Sequence, residues 1–293
     1  RLNSSAASDV YKRQILRVTC PDSLGLVAKV SNFLNEQNLF IKDSAHYGDP
    51  ITKKFFMRVK VISPNQEINK ENFNKTFSVL AEEASMDWSF QNAILKPSTT
   101  IFVSKYSHCL QDLLYRTSVD SLKINIKSVI SNHPDLEKIV SDYGIPFHHI
   151  EVAKDNKSEV EMKMTKIIED DNVDLIILAR YMQILSTDFC NKYFGKIINI
   201  HHSFLPSFKG AKPYHQAYEK GVKILGATAH YVTSELDEGP IIEQTVDRID
   251  HSKSAEDMEV IGRDIESITL AKAVQYHSEQ RIFLNDNKTV IFK

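Results

Sequence analysis

From Thr100 to His202 the chain repeats one pattern: a short, continuous apolar run followed by a stretch of helical periodicity. "TIFVSK" leads into "HCLQDLLYRTS", "INIKSVISN" into "PDLEKIVSDYG", "FHHIEVA" into "EVEMKMTKIIEDD", and "VDLIILAR" into "STDFCNKYFG"; "KIINIHH" closes the series. A strand that is apolar at every position must be covered on both faces. Helices alternating with such strands provide that cover by winding a parallel sheet. The expected architecture is α/β, Rossmann-like and doubly wound, with a mostly parallel sheet. The last third departs from the pattern. "ILGATAHYVTS" and "GPIIEQTVDRI" read as longer, antiparallel strands. A long helix is expected from about Ser254 to Glu279, and "RIFLNDNKTVIF" reads as a hairpin.

The segment before Thr100 is organised differently. "ILRVTC" reads as a strand and "PDSLGLVAKVSNFLNEQ" as a helix, with Asp22 or Ser23 as cap and Leu24, Val27, Val30 and Leu34 on its apolar stripe. Two strands, "NLFIKDSAHY" and "KKFFMRVKVI", flank the turn "GDPIT". A second helix, "NKENFNKTFSVLAEEA", and a last strand, "MDWSFQNA", complete a βαββαβ order of the ferredoxin-like kind. The polar, Pro-containing stretch "ILKPSTT" separates a first domain, residues 15–95, from a second, residues 100–293. Residues 1–14, "RLNSSAASDVYKRQ", carry neither period and read as a disordered or non-native extension.

The totals exclude several classes. A chain of 293 residues suits about two domains. A net charge of −2 lacks the basic face of a nucleic-acid binder. No apolar run approaches the roughly 20 residues that span a bilayer. Three scattered cysteines, Cys20, Cys109 and Cys190, give neither a disulfide framework nor a zinc knuckle, which points to a reducing, cytoplasmic setting.

The chemistry is expected where "KIINIHH" ends, because open α/β sheets bind ligands beyond the carboxyl ends of their strands. Residues two apart on a strand share a face, so Asn199 and His201 point into one crevice and His202 points away as a bystander. An amide can donate to an oxyanion and an imidazole can move protons, which together suit acyl-group chemistry. The carboxylate to orient the imidazole comes from "SELDEGPII": Asp237 is the first candidate, with Glu235 and Glu238 as competitors. Adjacent strand histidines chelate poorly, and His215 and His230 add no metal-binding spacing, so no metal is expected. No glycine falls between Gly48 and Gly144, so the loop "VSKYSHCL" after the first strand of the second domain offers no Gly-rich phosphate cradle; Lys105, Ser107 and His108 read as a solvated loop.

Over about 45 residues, "NIHHSFLPSFKGAKPYHQAYEKGVKILGATAHYVTSELDEGPII" resembles the formyltransferase signature, and "CPDSLGLVAKVSNFL" resembles an ACT module. The pairing of the two is similar to the deformylases of that family. The resemblance implies hydrolysis of 10-formyltetrahydrofolate to tetrahydrofolate and formate, feeding purine synthesis and balancing the one-carbon pool. It implies Asn199, His201 and Asp237 as catalytic residues. It also implies a folate site at Met182, Gln183, Ile184, Leu185, His230, Thr233, Ser234, Glu235 and Leu236. The folate is substrate and no cofactor is implied. From the ACT module follow an amino-acid effector near Asp22, Leu24, Gly25 and Leu26 and a homo-oligomer, dimer or tetramer. Two other readings stay open: transfer of the formyl group to an amine, and a non-catalytic folate or amino-acid sensor. The missing Gly-rich loop speaks against a phosphorylated acceptor.

Overall fold

Leu16, Val18 and Cys20 alternate with polar residues along strand β1 (Arg13–Pro21), and their side chains are buried in a core shared with two helices. Helix α1 (Leu26–Glu36) adds Leu26, Val30 and Leu34 to it, and α2 (Lys70–Glu83) adds Phe73 and Phe77. Each such side chain contributes about 1.5–3 kcal/mol on burial. With β2 (Phe40–Gly48), β3 (Lys54–Ile62) and β4 (Asp87–Asn92) they form an antiparallel sheet in the order β2-β3-β1-β4. The computed structural model describes residues 13–63, 68–153, 155–205 and 213–293.

Three local expectations are corrected. Strand β1 starts at Arg13 and Gln14 is 1% exposed, because both pair with β3; the expected extension therefore loses its last two residues, and 1–12 lie outside the described residues. Helix α1 is capped by Gly25 at φ +83°, not by Asp22 or Ser23. Leu24 precedes the helix and is fully exposed, so Leu26 takes its place on the apolar stripe.

The second unit is wound around strands β5 (Ser98–Val103), β6 (Asn125–Ser131), β7 (Phe147–His149), β8 (Leu175–Leu178) and β9 (Ile197–His201). These run parallel. Strands β10 (Ile224–Tyr231) and β11 (Ile241–Arg248) extend the sheet antiparallel beyond β9. The order is β11-β10-β9-β8-β5-β6-β7. The winding goes outward from β5 to β7, then returns to the other side of β5 at β8, which makes the β5/β8 boundary a switch point. Connecting helices are α3 (His108–Ser118), α4 (Glu137–Ser141), α5 (Lys157–Asp170), α6 (Thr187–Lys192), α7 (Pro213–Glu219) and α8 (Ala255–Ser278). On one face Val160, Met164 and Ile168 of α5 and Phe189 of α6 cover Phe102, Ile130, Ile176 and Ile197. Helices α3 and α8 pack together, and α8 also lies against β9 and β10.

The chain end departs from the expected boundary. A hairpin of β12 (Ile282–Asn285) and β13 (Lys288–Ile291) follows α8. Among the described residues, Glu279–Asn285 and Val290–Lys293 belong to the first unit with those from Arg13 to Leu95; the others, from Lys96 to Ser278 and from Asp286 to Thr289, form the second. The cause is long-range packing: Phe283 meets the Phe56 ring at 5.8 Å, Arg17 lies over the Phe283 ring, and Asn285 Nδ2 donates to Asp49 Oδ2 at 2.6 Å.

Candidate active site

The carboxyl ends of β8 and β9 open into a cavity of about 350 Å³. All the residues expected to touch substrate line it: Met182 to Leu185 after β8, Asn199 and His201 on β9, His230 on β10, and Thr233 to Asp237 in the loop before β11. The first wall is held by Ser104, whose hydroxyl accepts from the Met182 amide at 3.0 Å and donates to Asn132 Oδ1 at 2.6 Å. Met182 and Ile184 are exposed, an apolar lip where a flat ring system can lie.

Asn199 and His201 share a face of β9, as the two-residue alternation requires. Asp237 reaches them from a loop with two unusual points. Its own φ is +57°, a left-handed conformation that Asp tolerates. Gly239 lies so close to β10 that a Cβ would stand 1.7 Å from the Tyr231 carbonyl oxygen. Asp237 Oδ2 lies 3.2 Å from His201 Nδ1, and Oδ1 lies 3.7 Å from His230 Nε2. Glu235 and Glu238 face solvent, so the competition among the three acids goes to Asp237. Burial by itself would raise the Asp237 pKa, but hydrogen bonds from His201 and His230 outweigh it and hold the carboxyl well below the usual range. It is ionised at neutral pH and can hold a protonated imidazole. His201 Nε2, on the far side of its ring, is buried without a hydrogen-bond partner among the described residues.

His230 lines the cavity beside Asn199 and is 2% exposed. Its Nδ1 lies 2.9 Å from the Tyr231 carbonyl, which can only accept, so Nδ1 carries the proton. Nε2 lies 3.3 Å from Asn199 Nδ2 and 3.7 Å from Asp237 Oδ1. With Nδ1 held by that carbonyl, the ring is fixed between the Asn199 amide and the Asp237 carboxylate.

His202 is not the bystander expected. Strand β9 ends at His201, so the alternation no longer applies, and the two rings stack with centroids 4.7 Å apart and planes at 22°. Its Nδ1 is 2.9 Å from an Arg180 guanidinium nitrogen. Nor is His108 a solvated loop residue. Its Nε2 meets Glu266 Oε2 at 2.7 Å, and Tyr214 donates to Glu266 Oε1 at 2.6 Å. Burial pushes against ionisation of Glu266, but His108, Arg180 and Tyr214 together hold its pKa below the ordinary value. His108, Cys109 and Glu266 come together in the manner of metal ligands. Both Glu266 oxygens are already engaged, Arg180 stands 3.4 Å away, and burial pushes the Cys109 thiol far up, so the set is a hydrogen-bonded cluster unsuited to a cation. The expected loop residues Pro206 and Gly210 lie outside the described residues, and His215 is exposed on α7, away from any ligand set.

At the first unit's turn, the Asp22 amide donates to the Lys53 carbonyl at 2.8 Å, and Leu26 is buried in the core. Gly25 serves through its positive φ, and nothing in the chain lies within 4 Å of where its Cβ would be. Among the described residues no helix is long and apolar enough to cross a membrane.

Such a fold and site define an enzyme of the formyl-transferring class, and residues 98–274 match the family described as formyl transferase. The chain is 46% identical to the formyltetrahydrofolate deformylase of Bacillus subtilis (strain 168) over 278 residues, 94% of this chain and 93% of that protein. It is 45% identical to that of Corynebacterium sp. (strain P-1) over 281 residues, 96% of this chain and 98% of the other. The crystal structure of a formyltetrahydrofolate deformylase from Pseudomonas syringae pv. tomato superposes with a TM-score of 0.93 at 45% identity, covering 96% of this chain and 95% of that one. The chain belongs to the formyltetrahydrofolate deformylase family.

Proposed function

We propose that this protein hydrolyses 10-formyltetrahydrofolate to tetrahydrofolate and formate. The observation that carries the reading is the meeting of Asn199, His201 and Asp237 at one cavity beyond the carboxyl end of β9. His201 donates Nδ1–H to Asp237, which leaves the Nε2 lone pair to take a proton from water. The water oxygen adds to the formyl carbon. Asn199 donates to the formyl oxygen, and this bond strengthens as the oxygen gains charge. His201, now protonated and held by the Asp237 carboxylate, returns the proton to N10 as the C–N10 bond breaks. Formate leaves. Water supplies the oxygen, and the reaction as written draws on no cofactor. The folate rings would lie between Met182–Leu185 and Thr233–Leu236.

The first unit's βαββαβ order and sheet suit a ferredoxin-like ACT module, with an amino-acid effector at Asp22, Leu24 and Gly25 above the buried Leu26. Fully exposed Leu24 supports a contact surface there. Such modules fit a homo-oligomer, dimer or tetramer, regulated by one-carbon supply in a cytoplasmic setting, with the formate feeding purine synthesis. The test of the activity is formate release from 10-formyltetrahydrofolate without an added amine. Release abolished in His201→Ala supports the reading; release that requires an amine refutes it.

A further inference from the structure

Arginine can only donate hydrogen bonds, so the 2.9 Å contact between Arg180 and His202 Nδ1 assigns the ring's protonation. Nδ1 is a lone-pair acceptor, and the proton sits on Nε2. Arg180 is built into this role. It adopts φ +65°, rare for a residue with a side chain, and its guanidinium lies 5.2 Å from the Tyr106 ring centroid. Its other edge faces Glu266 Oε2 at 3.4 Å. Glu266 is 1% exposed and held by Tyr214 and His108. Helix α8 admits Tyr214 only because position 262 is glycine, where a Cβ would stand 2.2 Å from the Tyr214 ring. Tyr106 and Glu266 thus hold one guanidinium aimed at one imidazole, and Tyr214 and His108 hold Glu266.

We propose that Arg180, anchored by Glu266, is a positioning residue that keeps His202 neutral, so that His201 alone of the stacked pair takes a proton during turnover. The inference rests on the hydrolytic reading above. If His202 were charged, its ring would repel the positive charge that His201 acquires at each cycle. The groups facing His202 are Arg180 after β8, His201 on β9, Asp237 in the β10–β11 loop, Tyr214 on α7 and Glu266 on α8. Burial, then Arg180 and His201, push the His202 pKa down to about 4, and the two acids oppose them.

The experiment is the pH profile of kcat/KM for formate release from 10-formyltetrahydrofolate by the full chain. Arg180→Met frees His202 to titrate. The acid limb is expected to steepen and move up by about one pH unit. In the double variant Arg180→Met, His202→Asn, position 202 cannot take a proton, and the limb is expected to return to its wild-type place. A limb that stays displaced in the double variant, or never moves in the single one, overturns the proposal. A second reading needs no turnover. In 15N-histidine-labelled wild type, the resonances lost in His202→Asn should keep the Nε2–H tautomer signature from about pH 8 to pH 5. Protonation of that ring with a midpoint above about pH 6 overturns the proposal even where Arg180→Met fails to fold. Absence of formate release by the wild type would instead refute the hydrolytic reading, and the tautomer would still be decided by the spectrum.

Discussion

At the scale of single residues, the site depends on which donors are already spent. Asn199 Nδ2 lies 3.3 Å from His230 Nε2, and of its two N–H groups one remains to point at the formyl oxygen. Asn199→Ala removes a donor of the kind worth about 2.7–4 kcal/mol in a transition state, so kcat should fall about a hundredfold to a thousandfold with the melting temperature little changed. Steady-state kinetics and a thermal melt check both halves. Asn199→Asp should be as damaging, since an ionised carboxylate has no N–H to offer the formyl oxygen. His202 carries a stability prediction. Its folded pKa, about 4, lies below the unfolded value near 6.5. Between these values the unfolded chain binds more protons, so stability falls as pH drops through that window. The shift amounts to on the order of 3 kcal/mol, spent by about pH 4. Urea melts at pH 7 and pH 5 should show the wild type losing more stability than His202→Asn; equal losses would mean that the ring is not held neutral.

At the scale of elements, two glycines show opposing effects with a decidable winner. Alanine in a helix interior is favoured over glycine by up to about 1 kcal/mol. Gly262→Ala would nevertheless drive a methyl into the Tyr214 ring, which is buried and bonded to Glu266. Overpacking of this kind costs about 1–3 kcal/mol, so the variant should melt lower. Gly239→Ala meets backbone, the Tyr231 carbonyl at 1.7 Å. The loop must shift, Asp237 leaves His201, and kcat should drop by at least tenfold while the far side of the sheet is untouched. These elements also show what could be read in advance. Asn199 and His201 followed from strand alternation, and the Asp237 loop from Gly239 and Pro240 beside it. His202 did not follow, because alternation stops with the strand. Glu266 carried a faint signal: it shares a helical stripe with Gly262, Leu270 and Ala273, all on the buried side of α8, where a lone acid needs partners. Those partners, His108, Arg180 and Tyr214, come from three distant segments, and no spacing in the chain connects them.

At the scale of the whole molecule, the chain passes between its two units four times, after Leu95, Ser278, Asn285 and Thr289. The first unit is completed by residues nearly two hundred positions after Leu95. Its sheet could be read from the periodicity between Ile15 and Asn92, but the return of β12 could not, since "RIFLN" alternates like any hairpin arm and its partners lie over 200 positions away. In the fold, Phe283 is 3% exposed against Phe56, Arg17 donates to the Ile282 carbonyl at 2.5 Å, and Arg58 donates to that of Glu279 at 3.0 Å. A cut at the 95/96 boundary would therefore not yield two self-sufficient pieces. Phe283→Ala should cost the first unit about 3–5 kcal/mol. At a slope of about 2 kcal/mol per molar urea, the midpoint falls by about 2 M. The chain holds one tryptophan, Trp88, on β4 beside Phe77, so its fluorescence reports this unit selectively. A Trp88 transition unmoved in Phe283→Ala would mean that the C-terminal segment rests on the first unit without stabilising it. A shift of the expected size would make the chain's end part of that unit's core.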